Sequence, residues 1–174
     1  MEDREVPADG RRSEAAEARP VGPALYVVVG LPAAGKTTRA RALASAYDAV
    51  RLNPDEWMTD LGVDLFDEPF RARLEQRMTR LAAEVLAGGG RVVIEFGSWS
   101  RAERDDLLAL GRRAGAHVEL HVLEPDPDEL WRRLTERNQR PGEAVIDRTT
   151  LDSYLPHWES PDNDELARYD AVAR

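Results

Sequence analysis

The sequence predicts a three-layer α/β domain with a mostly parallel sheet, and two observations predict it. Short apolar runs alternate with helical patterns from Ala24 onward, which is the order that parallel strands with right-handed crossover helices require. A glycine-rich turn containing a lysine directly follows the first apolar run. The 174 residues show no internal repeat and no second domain, and this length is typical of one domain.

Each predicted element has a local reason in the sequence. The run 24–29 is continuously apolar, as in a strand that is buried on both faces. Three glycines at 88–90 end a long amphipathic helix, and Asp126, Pro127 and Glu129 form a start signal for a later one. Strands are predicted at 24–29, 49–52, 91–96 and 117–123, and helices at 36–47, 70–87, 101–114, 128–138, 148–155 and 162–168, with a further short helix starting at Glu56.

Composition excludes several classes of function. There are no cysteines, so disulfides, thiol catalysis and cysteine-based zinc sites are excluded. The histidines are too scattered in sequence for a metal-ligand set. No apolar run is long enough to cross a bilayer, and we expect a cytoplasmic protein without a membrane partner. Residues 1–23 show no helix or strand period and are interpreted as a flexible extension, with the domain over 24–174.

The net charge of -9 disfavours a nucleic-acid substrate without excluding one, because phosphate neutralisation normally calls for a basic face. Of the 24 basic residues, Lys36 is the only lysine and the rest are arginine. A GC-rich genome explains the arginines but not the place of the lysine. Lys36 lies in the one motif where the compact ammonium of a flexible lysine side chain is preferred to the planar guanidinium of arginine.

Gly30 to Thr37 reads G-L-P-A-A-G-K-T and matches the phosphate-binding pattern G-x-x-x-x-G-K-[ST] between a strand and a helix. The backbone N–H groups of such a loop, with the N-terminus of the next helix, bind phosphate oxygens. Lys36 reaches the β- and γ-oxygens of a nucleotide, and the Thr37 hydroxyl can ligate Mg²⁺. The nucleotide-binding residues are predicted to be Gly30, Ala33, Ala34, Gly35, Lys36, Thr37, Thr38, Arg133 and Arg137.

The second strand is followed by Asn53-Pro54-Asp55-Glu56-Trp57. A carboxylate at the carboxyl end of a parallel strand, beside the phosphate loop, can orient an attacking hydroxyl or accept its proton. We therefore predict that Asp55 is a catalytic residue on the acceptor side; the alternative is that it caps the short helix. Trp57 is predicted to line the acceptor pocket, or else to belong to the core.

Glu95 lies near the end of the third predicted strand, and Gly97 and Trp99 follow that strand. An acid at this place holds Mg²⁺ directly or through water in the Walker-B arrangement, and an alternative is that Glu95 positions the substrate. Arg101 and Arg104 begin the next helix and are predicted, with Trp99, to contact the acceptor. The alternative for both arginines is an ordinary solvated helix face.

A late helix carries closely spaced arginines, with Arg133 and Arg137 on one face and Arg140 where the helix ends. Arginines that a closing lid brings in can stabilise the charge of a phosphate in transfer. We predict catalytic roles for Arg137 and Arg140, and a surface ion pair with Glu136 for Arg132.

Four segments resemble the small bacterial P-loop kinases of the zeta-toxin, chloramphenicol-phosphotransferase and polynucleotide-kinase-like group: G-L-P-A-A-G-K-T-T, N-P-D-E-W, V-V-I-E-F-G-S-W-S-R-A-E-R and L-W-R-R-L-T-E-R-N-Q-R-P. The resemblance implies a nucleoside-kinase-like P-loop NTPase with a five-stranded sheet, its last strand in 170–173, and a helical lid. It implies ATP or GTP with Mg²⁺ and phosphorylation of a hydroxyl. By the same likeness Asp55 matches the acceptor-side aspartate, Arg137 and Arg140 match the lid arginines, and Glu95 stands where members commonly carry Asp.

The predicted function is transfer of the γ-phosphate to a hydroxyl of a small molecule, preferably an antibiotic or other secondary metabolite, by a monomer or homodimer. One alternative is a polynucleotide 5′-hydroxyl kinase, which needs a basic groove that Arg101, Arg104, Arg112 and Arg113 supply only in part. An alternative from another class is a nucleotide-binding switch or toxin-like regulator. Asp55 separates the two kinase hypotheses from the switch, since a switch has no need of an acceptor-side base.

Overall fold

The computed structural model describes residues 20–140 and 145–174. Five strands form one sheet in the order β2-β3-β1-β4-β5: β1 (Ala24–Val29), β2 (Val50–Leu52), β3 (Arg91–Gly97), β4 (His117–Val122) and β5 (Ala171–Ala173). Seven α-helices connect or cover them within the described ranges: α1 (Lys36–Tyr47), α2 (Pro54–Asp60), α3 (Glu68–Ala87), α4 (Arg101–Arg113), α5 (Pro127–Arg137), α6 (Arg148–Tyr154) and α7 (Asn163–Leu166), with a 3₁₀ turn at Leu155–His157.

β1 is the central strand, and this explains its unbroken apolar sequence. It pairs in parallel with β3 on one side and β4 on the other, and all six of its residues are buried. A strand covered on both faces and both edges has no position where a polar side chain reaches water. The outer pairings, β2 with β3 and β4 with β5, are also parallel. The predicted three-layer fold with a parallel five-stranded sheet is therefore confirmed.

The two faces of β1 form two separate parts of the core. Leu25 and Val27 pack with α3 and α4 residues on one face, whereas Tyr26 and Val28 pack against α1 on the other. The side chains of a strand alternate between faces, so a single six-residue strand joins both layers. A third cluster joins the phosphate loop to α5 and α6 through Leu31 and Leu134.

Polar caps explain the small shifts between predicted and observed helix ends. α3 begins at Glu68, two residues before the prediction, because the Asp67 side chain accepts a hydrogen bond from the Phe70 N–H, 2.9 Å. α2 begins at Pro54, and Asn53 rather than Asp55 is its cap, accepting from the Glu56 N–H at 2.9 Å. This removes the alternative in which Asp55 merely caps the helix.

The fifth strand, which the resemblance implied, is present and pairs with β4. Asp170, just before it, accepts a hydrogen bond from the Val118 N–H at 2.7 Å and from Arg112 Nη1 at 2.6 Å. The predicted extension 1–23 lies mostly outside the described residues. Of its last residues, Pro20 and Pro23 accept hydrogen bonds through their carbonyls, from Arg91 and from the His117 N–H. Within 20–140 and 145–174, every helix is too short or too polar to span a membrane.

Candidate functional site

One large cleft of about 1820 Å³ lies over the phosphate loop. Its walls come from the loop after β1, the end of β3, and helices α2, α3, α4 and α5. The loop and the end of β3 lie at the carboxyl edge of the sheet, where open parallel sheets bind their ligands. The structure therefore brings the segments that follow β1, β2 and β3 to one cavity.

Two glycines shape the loop. Gly30 has φ +148°, and a Cβ atom there would lie 2.4 Å from the Leu123 carbonyl oxygen, so the close approach of the two chain segments excludes any side chain. Gly35 has φ +103° and is the N-terminal cap residue of α1, where no side chain caps the helix. An uncapped N-terminus of a 12-residue helix leaves backbone N–H groups able to bind phosphate.

Lys36 lines the cleft. Its Nζ donates to the Leu31 carbonyl at 3.0 Å. Burial lowers the pKa of Lys36 to about 8, while the nearby carboxylates of Asp55 and Glu95 oppose that shift. The ammonium thus lies within electrostatic reach of both the predicted acceptor-side acid and the predicted metal-holding acid.

Thr37 and Glu95 provide an oxygen pair suited to Mg²⁺. The Thr37 hydroxyl donates to Glu95 Oε1, and the Glu95 residue is 4% exposed. Mg²⁺ prefers oxygen ligands and is commonly bound by one or two carboxylates together with substrate phosphates. Two protein oxygens are fewer than the six ligands of octahedral Mg²⁺, so this pair fits an ion whose other ligands are phosphate and water oxygens.

Asp55, the predicted acceptor-side acid, is bound by Arg71 of α3. Arg71 Nη2 donates to Asp55 Oδ1, and Arg71 Nη1 lies 3.5 Å from Glu75 Oε1. All three side chains line the cleft. Burial raises the pKa of Glu75 to about 7, with Arg71 opposing the shift and Glu103 and Asp55 adding to it. This part of the cleft therefore carries an arginine that bridges two carboxylates.

Replacement of Glu75 by glutamine is expected to stabilise the protein at pH 8. The fold raises the pKa of this acid, so its charged form costs stability as the pH rises from about 4.5 through about 7. Allowing for solvent screening of a side chain that is 29% exposed, the gain should be about 1 kcal/mol. Urea denaturation at pH 8 and pH 4.5 measures it. An equal difference from the unsubstituted protein at both pH values would contradict the raised pKa.

Three arginines of the predicted lid reach the cleft, namely Arg133, Arg137 and Arg140. Arg133 Nη1 donates to the Ala34 carbonyl at 3.1 Å, and its Nε donates to Glu129 at 2.6 Å. Arg137 is close enough to Lys36 to contribute to lowering its pKa. The prediction for Arg132 is confirmed, because it pairs with Glu136 at 2.5 Å on the exposed side of α5.

Some predicted site residues lie elsewhere. Arg104 is the clearest correction: it is wholly buried and binds Glu165 through Nε and Nη2, at 2.6 and 3.0 Å. Arg101 pairs with Asp162 at 3.0 Å and does not line the cleft. Trp57 is 40% exposed and also lies off the cleft. Both helix-face arginines are thus used to hold the C-terminal segment.

Other predicted residues stay near the cavity in different roles. Trp99 lines the cleft, but its Nε1 donates to the Gly30 carbonyl at 3.2 Å, which ties the end of β3 to the phosphate loop. Ala33 and Thr38 line the cleft as well. The Ala34 N–H donates within the loop to the Leu31 carbonyl at 3.1 Å.

Replacement of Arg104 by methionine is expected to destabilise the fold by about 3–5 kcal/mol, because it leaves the Glu165 carboxylate buried without its partner. Chemical denaturation measures the loss. A double variant with Glu165→Gln should recover part of it, since glutamine removes the buried charge. An Arg104→Met protein of normal stability and impaired acceptor affinity would restore Arg104 to the acceptor site.

Sequence reasoning missed Arg51, Arg71 and Glu75. Arg51 Nη1 donates to Glu95 Oε2 at 2.7 Å. No motif marks these residues, because each acquires its place through a contact with a distant part of the chain. The only local signal for these residues is the spacing of Arg71 and Glu75, which lie four residues apart. It predicts an ion pair on one helix face but does not indicate whether that face lines the cleft.

The fold and the phosphate loop together define a P-loop nucleotide-binding protein with a kinase-like fold. Residues 25–161 match the protein family described as AAA domain, and the chain therefore belongs to that family. At the sequence level, no curated protein matches the chain significantly.

Solved structures similar to this fold include a gluconokinase from Sinorhizobium meliloti 1021, with TM-score 0.59 and 22% identity over 88% of this chain and 84% of that one. Kti12 from Chaetomium thermophilum, in complex with ADP-AlF3, has TM-score 0.66 and 20% identity over 86% and 87%. A chain of the PezAT toxin–antitoxin system of Streptococcus pneumoniae has TM-score 0.60 and 16% identity over 88% and 68%. At these identities the likeness shows the fold alone, and it is the fold that the resemblance of the sequence motifs implied.

Proposed function

We propose that the protein transfers the γ-phosphate of ATP or GTP, bound with Mg²⁺, to a hydroxyl group of a small molecule. The observation that carries the proposal is the meeting of Asp55 and Lys36 in one cleft, where the aspartate lies within electrostatic reach of the ammonium. A protein that only bound and released nucleotide would have no need of a carboxylate opposite the phosphate loop.

The chain's own residues divide the reaction between them. The loop N–H groups and Lys36 bind the β- and γ-phosphates, and Asp55 orients the acceptor hydroxyl and takes its proton as the new O–P bond forms. The bond from the γ-phosphorus to the β–γ bridging oxygen breaks, and the nucleoside diphosphate leaves. Arg137 and Arg140 stabilise the charge on the transferred group. Thr37 and Glu95 would be the protein ligands of Mg²⁺, which when bound would neutralise phosphate charge.

The charge of the cleft supports a small acceptor that is not a polyanion. On the side of α3 and α4 it is lined by Glu68, Glu103 and Asp106 as well as the Asp55–Arg71–Glu75 set. Such a wall repels phosphate chains and admits neutral or positively charged molecules. An antibiotic or other secondary metabolite is our preferred acceptor class, with the reaction in the cytoplasm and the enzyme a monomer or homodimer.

The polynucleotide kinase alternative loses support from the arginines on which it depended. Arg104 is buried, Arg101 pairs with Asp162, and Arg112 pairs with Asp170. Of those four residues Arg113 alone lines the cleft. The lid arginines that also line the cleft are proposed above to act on the nucleotide and the transferred phosphate. Arg113 is therefore a weak basis for a groove that follows a phosphate backbone.

The test is a transfer assay with γ-labelled ATP and GTP against separate pools of antibiotics, sugar nucleotides, simple sugars and 5′-hydroxyl oligonucleotides. A phosphorylated small molecule, lost with Lys36→Ala, is the expected result and identifies the acceptor class. Label on the oligonucleotide alone would replace the proposal with the polynucleotide kinase. Nucleotide binding without transfer to any pool would favour the switch or toxin-like regulator, and the search would turn to a protein partner.

A further inference from the structure

Glu95 is held from two sides by different kinds of donor. Oε1 accepts from the Thr37 hydroxyl, and Oε2 accepts from Arg51 Nη1 at 2.7 Å. The Glu95 side chain is 2% exposed. A buried carboxylate requires a partner for its charge, and Arg51 is a cation in direct contact with Glu95.

Arg51 lies in the middle of β2 and is itself 15% exposed in its side chain. Its second guanidinium nitrogen, Nη2, binds Glu56, which also binds Arg41. Glu95 and Thr37 line the cleft, but Arg51 does not. Arg51 is therefore placed to influence the site through Glu95 and not by touching a ligand.

The need for such a contact follows from the residue type at this position. Glutamate has one more rotatable bond than aspartate, so its carboxylate can occupy several positions at the end of β3. A planar guanidinium that binds two carboxylates at once fixes the direction of each. With Oε2 bound to Arg51, Oε1 stays beside Thr37 Oγ1, and the two oxygens suited to Mg²⁺ face the same place.

We propose that Arg51 is a positioning residue of the magnesium–nucleotide site. By binding Glu95 Oε2, Arg51 holds Glu95 Oε1 beside the Thr37 hydroxyl. The inference rests on the nucleotide and Mg²⁺ part of the proposed function and is independent of the acceptor. A failure to find phosphate transfer would therefore leave it open to test by binding alone.

The experiment measures the binding of a non-hydrolysable ATP analogue by calorimetry over a series of Mg²⁺ concentrations and in EDTA. For Arg51→Gln we expect the Mg²⁺ concentration for half-maximal enhancement of binding to rise about 10-fold or more, as for other residues that orient a metal ligand. Affinity in EDTA should stay unchanged. The control is Arg41→Gln, which removes the other arginine bound to Glu56 and should leave the Mg²⁺ dependence as it was.

A second pair of variants shows whether Arg51 acts through Glu95. In a Glu95→Gln background, adding Arg51→Gln should cause no further change in Mg²⁺ dependence, and this double variant also avoids a buried unpaired charge. Arg51→Lys should recover part of the enhancement of nucleotide binding by Mg²⁺, because lysine retains the positive charge but lacks the planar guanidinium. An Arg51→Gln protein with unchanged Mg²⁺ dependence would overturn the proposal. So would fully additive effects in the double variant, or loss of affinity in EDTA equal to the loss in Mg²⁺.

Discussion

Replacement of Lys36 by alanine is expected to lower phosphate transfer by about 100- to 1000-fold, the usual loss when one preorganised donor to the reacting group is removed. Lys36 supplies a partly desolvated ammonium in the cleft, where a charge acts on phosphate more strongly than in water. Steady-state transfer from labelled nucleotide measures the effect, and calorimetry shows how much nucleotide affinity is lost with it.

Two further variants separate the role of Lys36 from a general loss of positive charge. Lys36→Arg keeps the charge but replaces a compact ammonium with a planar fork, so we expect it to remain impaired. Arg41→Ala removes an exposed cation from the same helix and should leave transfer intact. Transfer by Lys36→Ala at more than about a tenth of the normal rate would rule out the phosphate-loop mechanism, given the size of effect expected.

Replacement of Asp55 by asparagine is expected to lower kcat by about 100- to 10,000-fold, the range for removal of a general base. Asparagine has nearly the same shape, and it can still accept a hydrogen bond from Arg71, but it cannot take a proton. Nucleotide affinity should change little, because the phosphate loop is untouched. Turnover with saturating acceptor and nucleotide calorimetry together give the two quantities.

Asp60→Asn is the matched control, since it makes the same chemical change at the end of the same helix. It should retain normal turnover. Comparable kcat values for the Asp55 and Asp60 variants would remove Asp55 from the chemistry. A large loss of nucleotide affinity in Asp55→Asn would instead indicate a role in holding the loop.

The sheet and the phosphate loop could be predicted because their signals are local. A strand buried on both faces requires an unbroken apolar run such as 24–29, and the loop requires glycine at Gly30 and Gly35 for backbone reasons. The starts of α2 to α7 were nearly as clear, since in each of them a polar side chain accepts a hydrogen bond from one of the first free N–H groups. The helix ends differed by one or two residues, as for α2, where the cap is Asn53, two residues before the expected Asp55.

The partners of charged side chains could not be predicted, because they depend on which distant segments meet. Arg104 was predicted to contact the acceptor or else to lie on a solvated helix face. Instead the C-terminal segment covers it and brings Glu165 to it. Arg51 and Glu95 are adjacent because β2 and β3 pair. The order of strands in the sheet cannot be predicted from either residue alone. For the same reason, the sequence indicated Asp55 as a candidate site residue but not Arg71, the arginine that binds it.

Lys36 is the only lysine in the chain, and burial lowers its pKa to about 8. Amine-directed acylating reagents attack the unprotonated form, which an ordinary lysine with a pKa of about 10.4 scarcely populates near neutral pH. In this protein such a reagent has one side chain to modify, and that side chain lies in the cleft. Mass spectrometry after brief acylation would therefore report cleft occupancy directly, and a ligand over the phosphate loop would reveal itself by protecting Lys36.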